Sequence, residues 1–162
     1  MSQTSFSRIG FMASSVDEAQ QAKARLQARY GTHDLGNCDV IVALGGNDVL
    51  RGIDPTVARV NLDQILRTAV DADVDVLLIG IEVPANYGPE YKTAFDAIYA
   101  DLADEYGALL VENFLGAILT PDPSDMRVWL QEDGLHPNAE GVSRIVAAIG
   151  PSVLDLVQRA DG

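Results

Sequence analysis

Short apolar runs rich in β-branched residues alternate along this chain with longer segments of helical spacing. The clearest runs are Cys38–Leu44 (CDVIVAL) and Val74–Ile81 (VDVLLIGI), and a shorter one covers Ala108–Val111. Ser7–Ala13 is a further run of the same kind, closer to the first residue. Near-continuous apolar runs of this length are typical of strands that are buried on both faces of a sheet. We therefore predict about four buried strands.

Helix-forming segments separate and follow the predicted strands. They are Val16–Tyr30, Asp54–Asp71, Glu90–Tyr106 and Ala139–Arg159, the last with a kink or break expected at Gly150-Pro151. Strands that alternate with helices predict an α/β fold, in which helices cover both faces of a parallel sheet. The 162 residues fit a single domain. Such sheets bind ligands beyond the carboxyl ends of their strands, so the loops there are where we expect functional residues.

The charge of the chain restricts its partners. The formal net charge is −13, and so acidic a surface repels nucleic acid and anionic membranes, both of which bind basic patches. The apolar runs are far shorter than the roughly 20 residues that span a bilayer, and residues 1–13 show no signal-peptide pattern. The one cysteine, Cys38, excludes an internal disulfide. We expect a cytoplasmic protein that binds neither nucleic acid nor membrane.

Asp133 and His136 are the strongest candidates for a catalytic pair. They stand close together in the segment DGLHPN, in a predicted loop before the last helix. A carboxylate at this spacing on a turn can accept the Nδ1–H of the imidazole, which leaves Nε2 free to act as a general base. The alternative is a polar turn that only precedes a helix. The other histidine, His33, falls in a loop at the opposite end of the predicted sheet.

A second candidate site follows the strand predicted at Cys38–Leu44. The sequence there is Gly45-Gly46-Asn47-Asp48. The glycines let a substrate or another backbone approach closely, and the side-chain amide of Asn47 could donate to an oxyanion. The alternative is a tight turn, in which Gly, Asn and Asp are common residues.

Three segments of the chain together resemble the SGNH/GDSL hydrolases, and in particular their thioesterase I/arylesterase branch. The segments are ALGGNDVLRGID (Ala43–Asp54), IEVPANYGPEYKTAFDAIYADLA (Ile81–Ala103) and DGLHPNAEGV (Asp133–Val142). The resemblance implies a three-layer, flavodoxin-like sheet of the SGNH type. It also implies hydrolysis of small acyl or aryl esters without a metal or another cofactor.

The same resemblance assigns roles to individual residues. His136 would be the general base and Asp133 its orienting partner, while Asn47 and Gly46 would donate hydrogen bonds to the oxyanion. The loop that holds Asn86-Tyr87 would shape the substrate pocket.

The segment that should carry the nucleophile departs from the family. No Gly-Asp-Ser-Leu block is present, nor the block whose glycine completes the oxyanion hole. When the first strands are aligned, Ser15 falls on the serine of the missing block, and Ser14 stands beside it. The alternative is that either serine only caps the following helix. Loss of one oxyanion donor typically costs about 10²–10³ in rate, so we expect weak activity.

Residues 1–46 resemble a different family, the bacterial NAD kinases. The resemblance lies in SRIGFMASSVDEAQQAKARLQARYG and, after a gap, CDVIVALGG, which would form a strand-helix-strand opening. The single α/β domain over residues 1–162 would then join an NAD-kinase-like opening, residues 1–46, to a hydrolase-like remainder, residues 40–162. We interpret the chain as a chimera of the two.

Three hypotheses follow from these observations. The chain is a serine esterase, an inactive chimeric α/β scaffold, or a remnant that binds nucleotide. The third is the weakest, because the residues that follow Gly46 are those of the hydrolase. The resemblance to the hydrolases also implies that one strand-helix unit of that family is missing before Gly45. The sheet edge left uncovered could form a homodimer.

Overall fold

The computed structural model describes residues 41–120 and 122–160, together with Ala24. The elements in chain order are β1 (Ile41–Leu44), α1 (Gly46–Leu50), α2 (Pro55–Asp71), β2 (Val76–Ile79), a 3-10 turn (Ala85–Tyr87), α3 (Pro89–Tyr106), β3 (Leu109–Val111), α4 (Pro123–Met126), a second 3-10 turn (Arg127–Trp129) and α5 (Ala139–Ala160). The predicted strand Ser7–Ala13 lies outside the described residues. Ala24 is the one described residue of the predicted helix Val16–Tyr30, and it is helical.

The described strands form one parallel sheet in the order β1-β2-β3. Ile41 pairs with Val76 at one end of the β1–β2 ladder, and Leu77 pairs with Leu109 at the start of the β2–β3 ladder. Each strand follows the previous one after a helix, as the alternating pattern predicted. The predicted α/β fold is confirmed, with three of the about four expected strands among the described residues.

The side chains of β2 are buried on both faces of the sheet. Val76 and Leu78 pack in one apolar cluster with residues of α2 and α3. Leu77 and Ile79 pack in a second cluster with residues of α5. Helices therefore cover both faces of the sheet, which is the three-layer arrangement that the sequence predicted.

The last helix runs antiparallel to the strands. Near its C-terminal end, the Arg159 guanidinium donates to the carbonyl oxygen of Gly107 at 3.4 Å, and Gly107 lies two residues before β3. The N-terminal end of α5 therefore points toward the carboxyl edge of the sheet. The helix is continuous through Pro151, so it does not break at Gly150-Pro151, and the alternative of a kink there stays a prediction. Proline has no backbone N–H and so removes one hydrogen bond from the helix. Because Pro151 is exposed, water can satisfy the carbonyl that loses its partner.

Tyr99 of α3 packs against the two glycines that follow β1 and β2. A Cβ on Gly45 would lie 2.5 Å from the Tyr99 hydroxyl oxygen, and one on Gly80 would lie 3.1 Å from its Cγ atom. The hydroxyl is buried and has no hydrogen-bond partner within the described part of the chain, and burial raises its pKa. The ring thus requires glycine at the ends of both strands.

No helix in residues 41–120 or 122–160 is long and apolar enough to cross a membrane. The predicted boundary within residues 40–46 falls at the start of the described chain. The division of the chain there stays a prediction, as does the homodimer through a sheet edge.

We expect Gly80→Ala to lower the free energy of unfolding by about 1–3 kcal/mol, because overpacking a tight site forces the backbone to shift. Its new Cβ would lie 2.5 Å from the carbonyl oxygen of Glu112. The control is Gly150→Ala within α5, where the added Cβ meets nothing outside its chain neighbours and its own helix backbone. The gain of about 0.5–1 kcal/mol from replacing a helical glycine is there offset by the restriction that Pro151 places on the residue before it, so we expect no overpacking loss. Urea unfolding of both variants measures the two changes. Equal effects of the same sign would contradict this account.

Candidate active site

Asp133 and His136 form a direct hydrogen bond in the loop before α5. The imidazole Nδ1 lies 2.6 Å from Asp133 Oδ2. The His136 side chain is 60% exposed and that of Asp133 is 43% exposed, so the ring can be reached from solvent. The carboxylate holds the proton on Nδ1, and Nε2 is left to accept a proton from a nucleophile.

Backbone amides fix the other oxygen of the Asp133 carboxylate. Oδ1 accepts the backbone N–H of Leu135 at 2.9 Å and that of His136 at 3.0 Å. The hydrogen bond from the His136 ring, followed by those two amides, lowers the pKa of Asp133 to about 2. The carboxylate is therefore ionised at neutral pH, and it is already oriented toward the ring.

The loop that carries this pair closes on itself like a small hairpin. Leu130 and Pro137 form an isolated antiparallel bridge, and Gln131 N–H donates to the His136 carbonyl at 2.7 Å. Gly134 adopts a positive φ of 69° at the tip, a conformation that favours glycine. Contacts within the loop therefore set the position of the His136 backbone.

Asn138 joins this loop to the final helix. Its side-chain oxygen accepts the backbone N–H groups of Glu140 at 3.1 Å and Gly141 at 3.0 Å. Its amide nitrogen donates to the carbonyls of Val128 at 2.8 Å and Leu130 at 3.2 Å. The sequence analysis missed this role, although an Asn directly before a helix is a recognisable N-cap signal.

Gly141 lets the first turn of α5 pack directly on the loop. A Cβ at this position would collide with the carbonyl oxygen of Trp129. The Arg144 guanidinium, one turn further along the helix, lies 3.7 Å from the centroid of the Trp129 ring. The helix and the loop are therefore held together on both sides of the Asn138 cap.

Asn47 and Gly46 lie at the carboxyl end of β1. The block Gly45-Gly46-Asn47-Asp48 begins the short helix α1, with Gly45 at the N-cap position. The Asp48 N–H donates to the Gly45 carbonyl at 3.0 Å, so the block also closes a turn, and the role of Asn47 toward an oxyanion stays a prediction. The Asn47 side chain is exposed, whereas burial raises the pKa of the neighbouring Asp48 carboxyl. The amide of Asn47 is thus available to a ligand. No hydrogen bond within the described residues joins it to the Asp133–His136 pair.

Gly46 lies against Ile81, two residues beyond the end of β2. A Cβ on Gly46 would be 3.1 Å from Ile81 Cδ1. Because glycine has no side chain, the apolar Ile81 can approach the backbone N–H groups that begin α1. The Asp48 N–H donates to the Gly45 carbonyl at 3.0 Å, and the two N–H groups before it, those of Gly46 and Asn47, suit an anion.

Asn86 and Tyr87 lie on the 3-10 turn after β2. Asn86 is exposed, and Tyr87 is half-buried. The Tyr87 ring stacks on Tyr91 with centroids 5.5 Å apart, and Tyr91 in turn stacks on Phe95 at 5.7 Å. Tyr87 is therefore held by a row of aromatic rings along α3.

The topology brings most of the predicted site to one edge of the sheet. Asn47 follows β1 and Asn86 follows β2, and both strands are parallel. His136 belongs to the same edge, because the N-terminal end of α5 points there. Ser15 and its neighbour Ser14 lie outside the described residues, so the nucleophile stays a prediction.

A shallow depression of about 160 Å³ lies at the opposite edge of the sheet. Its lining includes Val70, Val76, Tyr106 and Gly107, at the amino ends of β2 and β3. It holds none of the predicted catalytic residues. Since ligands of parallel α/β sheets bind at the carboxyl edge, we place the candidate site there and not in this depression.

A parallel α/β sheet with a carboxylate–imidazole pair beside its carboxyl edge is an arrangement that serine hydrolases use. This chain belongs to the GDSL-like lipase/acylhydrolase family, whose model matches residues 5–144. The match begins well before Val40, where the resemblance was expected to start, and its range includes Ser15. The predicted family is confirmed.

The individual relatives are thioesterases and esterases. The chain is 42% identical over 127 residues to thioesterase 1/protease 1/lysophospholipase L1 of Escherichia coli (strain K12), covering 78% of this chain and 57% of that protein. It is 37% identical over 101 residues to the arylesterase of Vibrio mimicus, covering 62% and 48% respectively. The crystal structure of TesA matches with a TM-score of 0.62 at 32% identity, over 82% of this chain and 68% of that chain. The chain spans about half the length of the curated relatives it matches.

A short stretch also matches NAD kinases. The NAD kinase of Rhizobium meliloti (strain 1021) is 52% identical over 42 residues, which cover 26% of this chain and 16% of that protein. The second resemblance is thus confirmed for a short stretch. The similarity to two families is consistent with a chimera.

We expect Asn138→Ala to lower the free energy of unfolding by about 1–2 kcal/mol, as the loss of an N-cap does. It should also shift the NMR signals of the His136 ring, because the loop loses its link to α5. The control is Asp54→Ala, which removes the cap of α2, a hydrogen bond of 2.8 Å from Thr56 N–H. That variant should be destabilised to a similar degree with the His136 signals unmoved. Equal shifts in both variants would contradict the proposed role of Asn138.

We expect the Asp133 carboxyl to titrate at about 2 and at a higher pH in His136→Ala, which lacks the largest cause of the lowered pKa. Because the folded chain favours the ionised form, this group stabilises the fold above the ordinary pKa of 3.8 and stops doing so as the pH falls toward 2. The carboxyl ¹³C shift in an NMR titration measures the midpoint. Asp122, whose pKa is lowered by Ser124, serves as the control and should be unaffected. An unchanged Asp133 midpoint in the variant would contradict the hydrogen bond.

Proposed function

We propose that this chain is a serine esterase of the SGNH/GDSL type that hydrolyses small acyl or aryl esters. The observation that carries the proposal is the 2.6 Å hydrogen bond between Asp133 and the Nδ1 atom of His136, at the edge where Asn47 is exposed. The family to which the chain belongs and its thioesterase and arylesterase relatives support this class of substrate. The net charge of −13 favours a neutral or cationic ester over a polyanion.

In the proposed reaction, Ser15 Oγ attacks the ester carbonyl carbon while His136 Nε2 takes the hydroxyl proton. Asp133 stabilises the imidazolium that forms. The tetrahedral oxyanion accepts hydrogen bonds from the Asn47 amide and the Gly46 N–H. Collapse of this intermediate breaks the ester C–O bond, and His136 returns the proton to the leaving alcohol. Water, activated by the same imidazole, then releases the acid and restores the serine, so no metal or other cofactor is needed.

The oxyanion hole should limit the rate. The block that supplies a further glycine N–H in the family is absent from the sequence. Removal of one such donor costs about 10²–10³ in rate in other enzymes. We therefore propose a slow esterase whose acid–base pair is better formed than its oxyanion site.

The alternative is that the chain has no catalytic activity. It would then be a folded chimeric scaffold that retains an acid–base pair without a nucleophile. The match to NAD kinase over 42 residues and the absence of a Gly-Asp-Ser-Leu block favour this alternative. It differs from the first proposal in one respect, the presence of a serine hydroxyl within reach of His136 Nε2.

Hydrolysis of p-nitrophenyl acetate and butyrate tests the proposal. We expect activity in the intact chain that falls to the buffer rate in both Ser15→Ala and His136→Ala, because each removes an essential step of acyl transfer. The matched control is Ser14→Ala, the neighbouring hydroxyl, which should retain the activity of the intact chain. Loss in Ser14→Ala but not in Ser15→Ala would reassign the nucleophile. No activity above buffer in the intact chain would establish the inactive scaffold.

A further inference from the structure

Two charged residues of α3 hold the backbone of Val83, beyond the end of β2. The backbone N–H of Val83 donates to Asp96 Oδ1 at 2.9 Å. The Val83 carbonyl accepts from Lys92 Nζ, also at 2.9 Å. Val83 lies beyond the end of β2, no strand within residues 41–120 or 122–160 pairs with it, and its side chain is buried. Lys92 and Asp96 therefore take the place of the strand that would otherwise satisfy its backbone.

The Lys92 ammonium uses its other donors on two carboxylates. It lies 2.8 Å from Asp96 Oδ2 and 3.0 Å from Glu82 Oε1. The hydrogen bond to Asp96 is the main reason why the pKa of Lys92 is raised. The Lys92 and Asp96 side chains are 29% and 32% exposed, so this pair is less exposed than an ordinary surface ion pair, which contributes little.

The segment held in this way leads directly into the residues assigned to the substrate. Pro84 follows Val83, and the carbonyl of Pro84 accepts the N–H of Tyr87 at 3.2 Å. Tyr87 also stacks on Tyr91 of α3. The turn that carries Asn86 and Tyr87 is thus attached to α3 at two places, by the charged pair at its start and by ring stacking at its end.

We propose that Lys92 and Asp96 are positioning residues, which hold the Val83 backbone and thereby fix Asn86 and Tyr87 in place for the ester. This inference rests on the proposed esterase function. Neither side chain needs to touch the substrate. Small displacements of a group that positions substrate can lower catalytic efficiency by large factors.

The first test compares Lys92→Met with the intact chain on p-nitrophenyl butyrate. We expect KM to rise about tenfold while kcat stays within about twofold, because the substitution loosens binding and leaves the nucleophile and base intact. Lys92→Arg keeps the cation, so its KM should lie close to that of the intact chain. The control is Glu105→Gln, which breaks another ion pair of α3, to Arg59 at 3.1 Å, far from this turn, and should leave KM unchanged.

The second test is independent of catalysis. Backbone amide exchange, followed by NMR, should quicken about tenfold at Val83 and Tyr87 in Lys92→Met, the change expected when a hydrogen bond of about 1.4 kcal/mol is lost. Amides of β2 should be unaffected. Unchanged exchange at Tyr87, or the same acceleration in Glu105→Gln, would overturn the proposal.

The two tests separate this inference from the proposed function. An intact chain without esterase activity would remove the proposed function, and amide exchange alone would then decide whether the pair fixes the turn. If Lys92→Met does not fold, Asp96→Asn weakens the same contacts and is measured in its place. A rise in KM with unchanged exchange at Val83 and Tyr87 would also overturn the proposal, because Lys92 would then act on the ester directly.

Discussion

Burial of β2 on both of its faces is the constraint on which the rest of the structure depends. Val76 and Leu78 face α2 and α3, while Leu77 and Ile79 face α5. A strand without a polar side cannot lie at a surface, so helices must cover the sheet on both sides and the connections must run over its edges. This leaves the carboxyl edge as the place where loops from β1, β2 and the segment before α5 gather.

The site at this edge combines one rigid part with less constrained ones. The Asp133–His136 pair is fixed by the hairpin-like loop, by the Asn138 cap and by the packing of Trp129 on α5. Asn47 lies in the first turn of a short, partly buried helix and depends on the end of β1 for its position. The turn with Asn86 and Tyr87 depends on α3. The proposed general base is therefore positioned by local contacts, whereas the groups proposed to bind substrate are positioned by the packing of the strands and helices.

Much of the fold could be predicted because local signals and tertiary packing agree. The helix predicted to begin at Asp54 begins at Pro55, with Asp54 as its cap, and the Asp133–His136 pair followed from spacing on a turn. The helix at Gly46–Leu50 was missed because two glycines and an Asn favour a turn, and only the packing against Tyr99 and Ile81 fixes the backbone. The role proposed for Lys92 and Asp96 could not be predicted from the sequence either. On one helix they form an ordinary i,i+4 pair, and their target, Val83, becomes a neighbour only when β2 and α3 pack.

The self-contained loop around His136 has a consequence for the history of such chains. Its internal hydrogen bonds connect residues 128–141 to one another. An exchange of the opening strand and helix, as in the proposed chimera, would leave these hydrogen bonds and the proposed proton acceptor in place. Activity would then depend on a serine hydroxyl within reach of His136 Nε2 and on the donors that remain for the oxyanion.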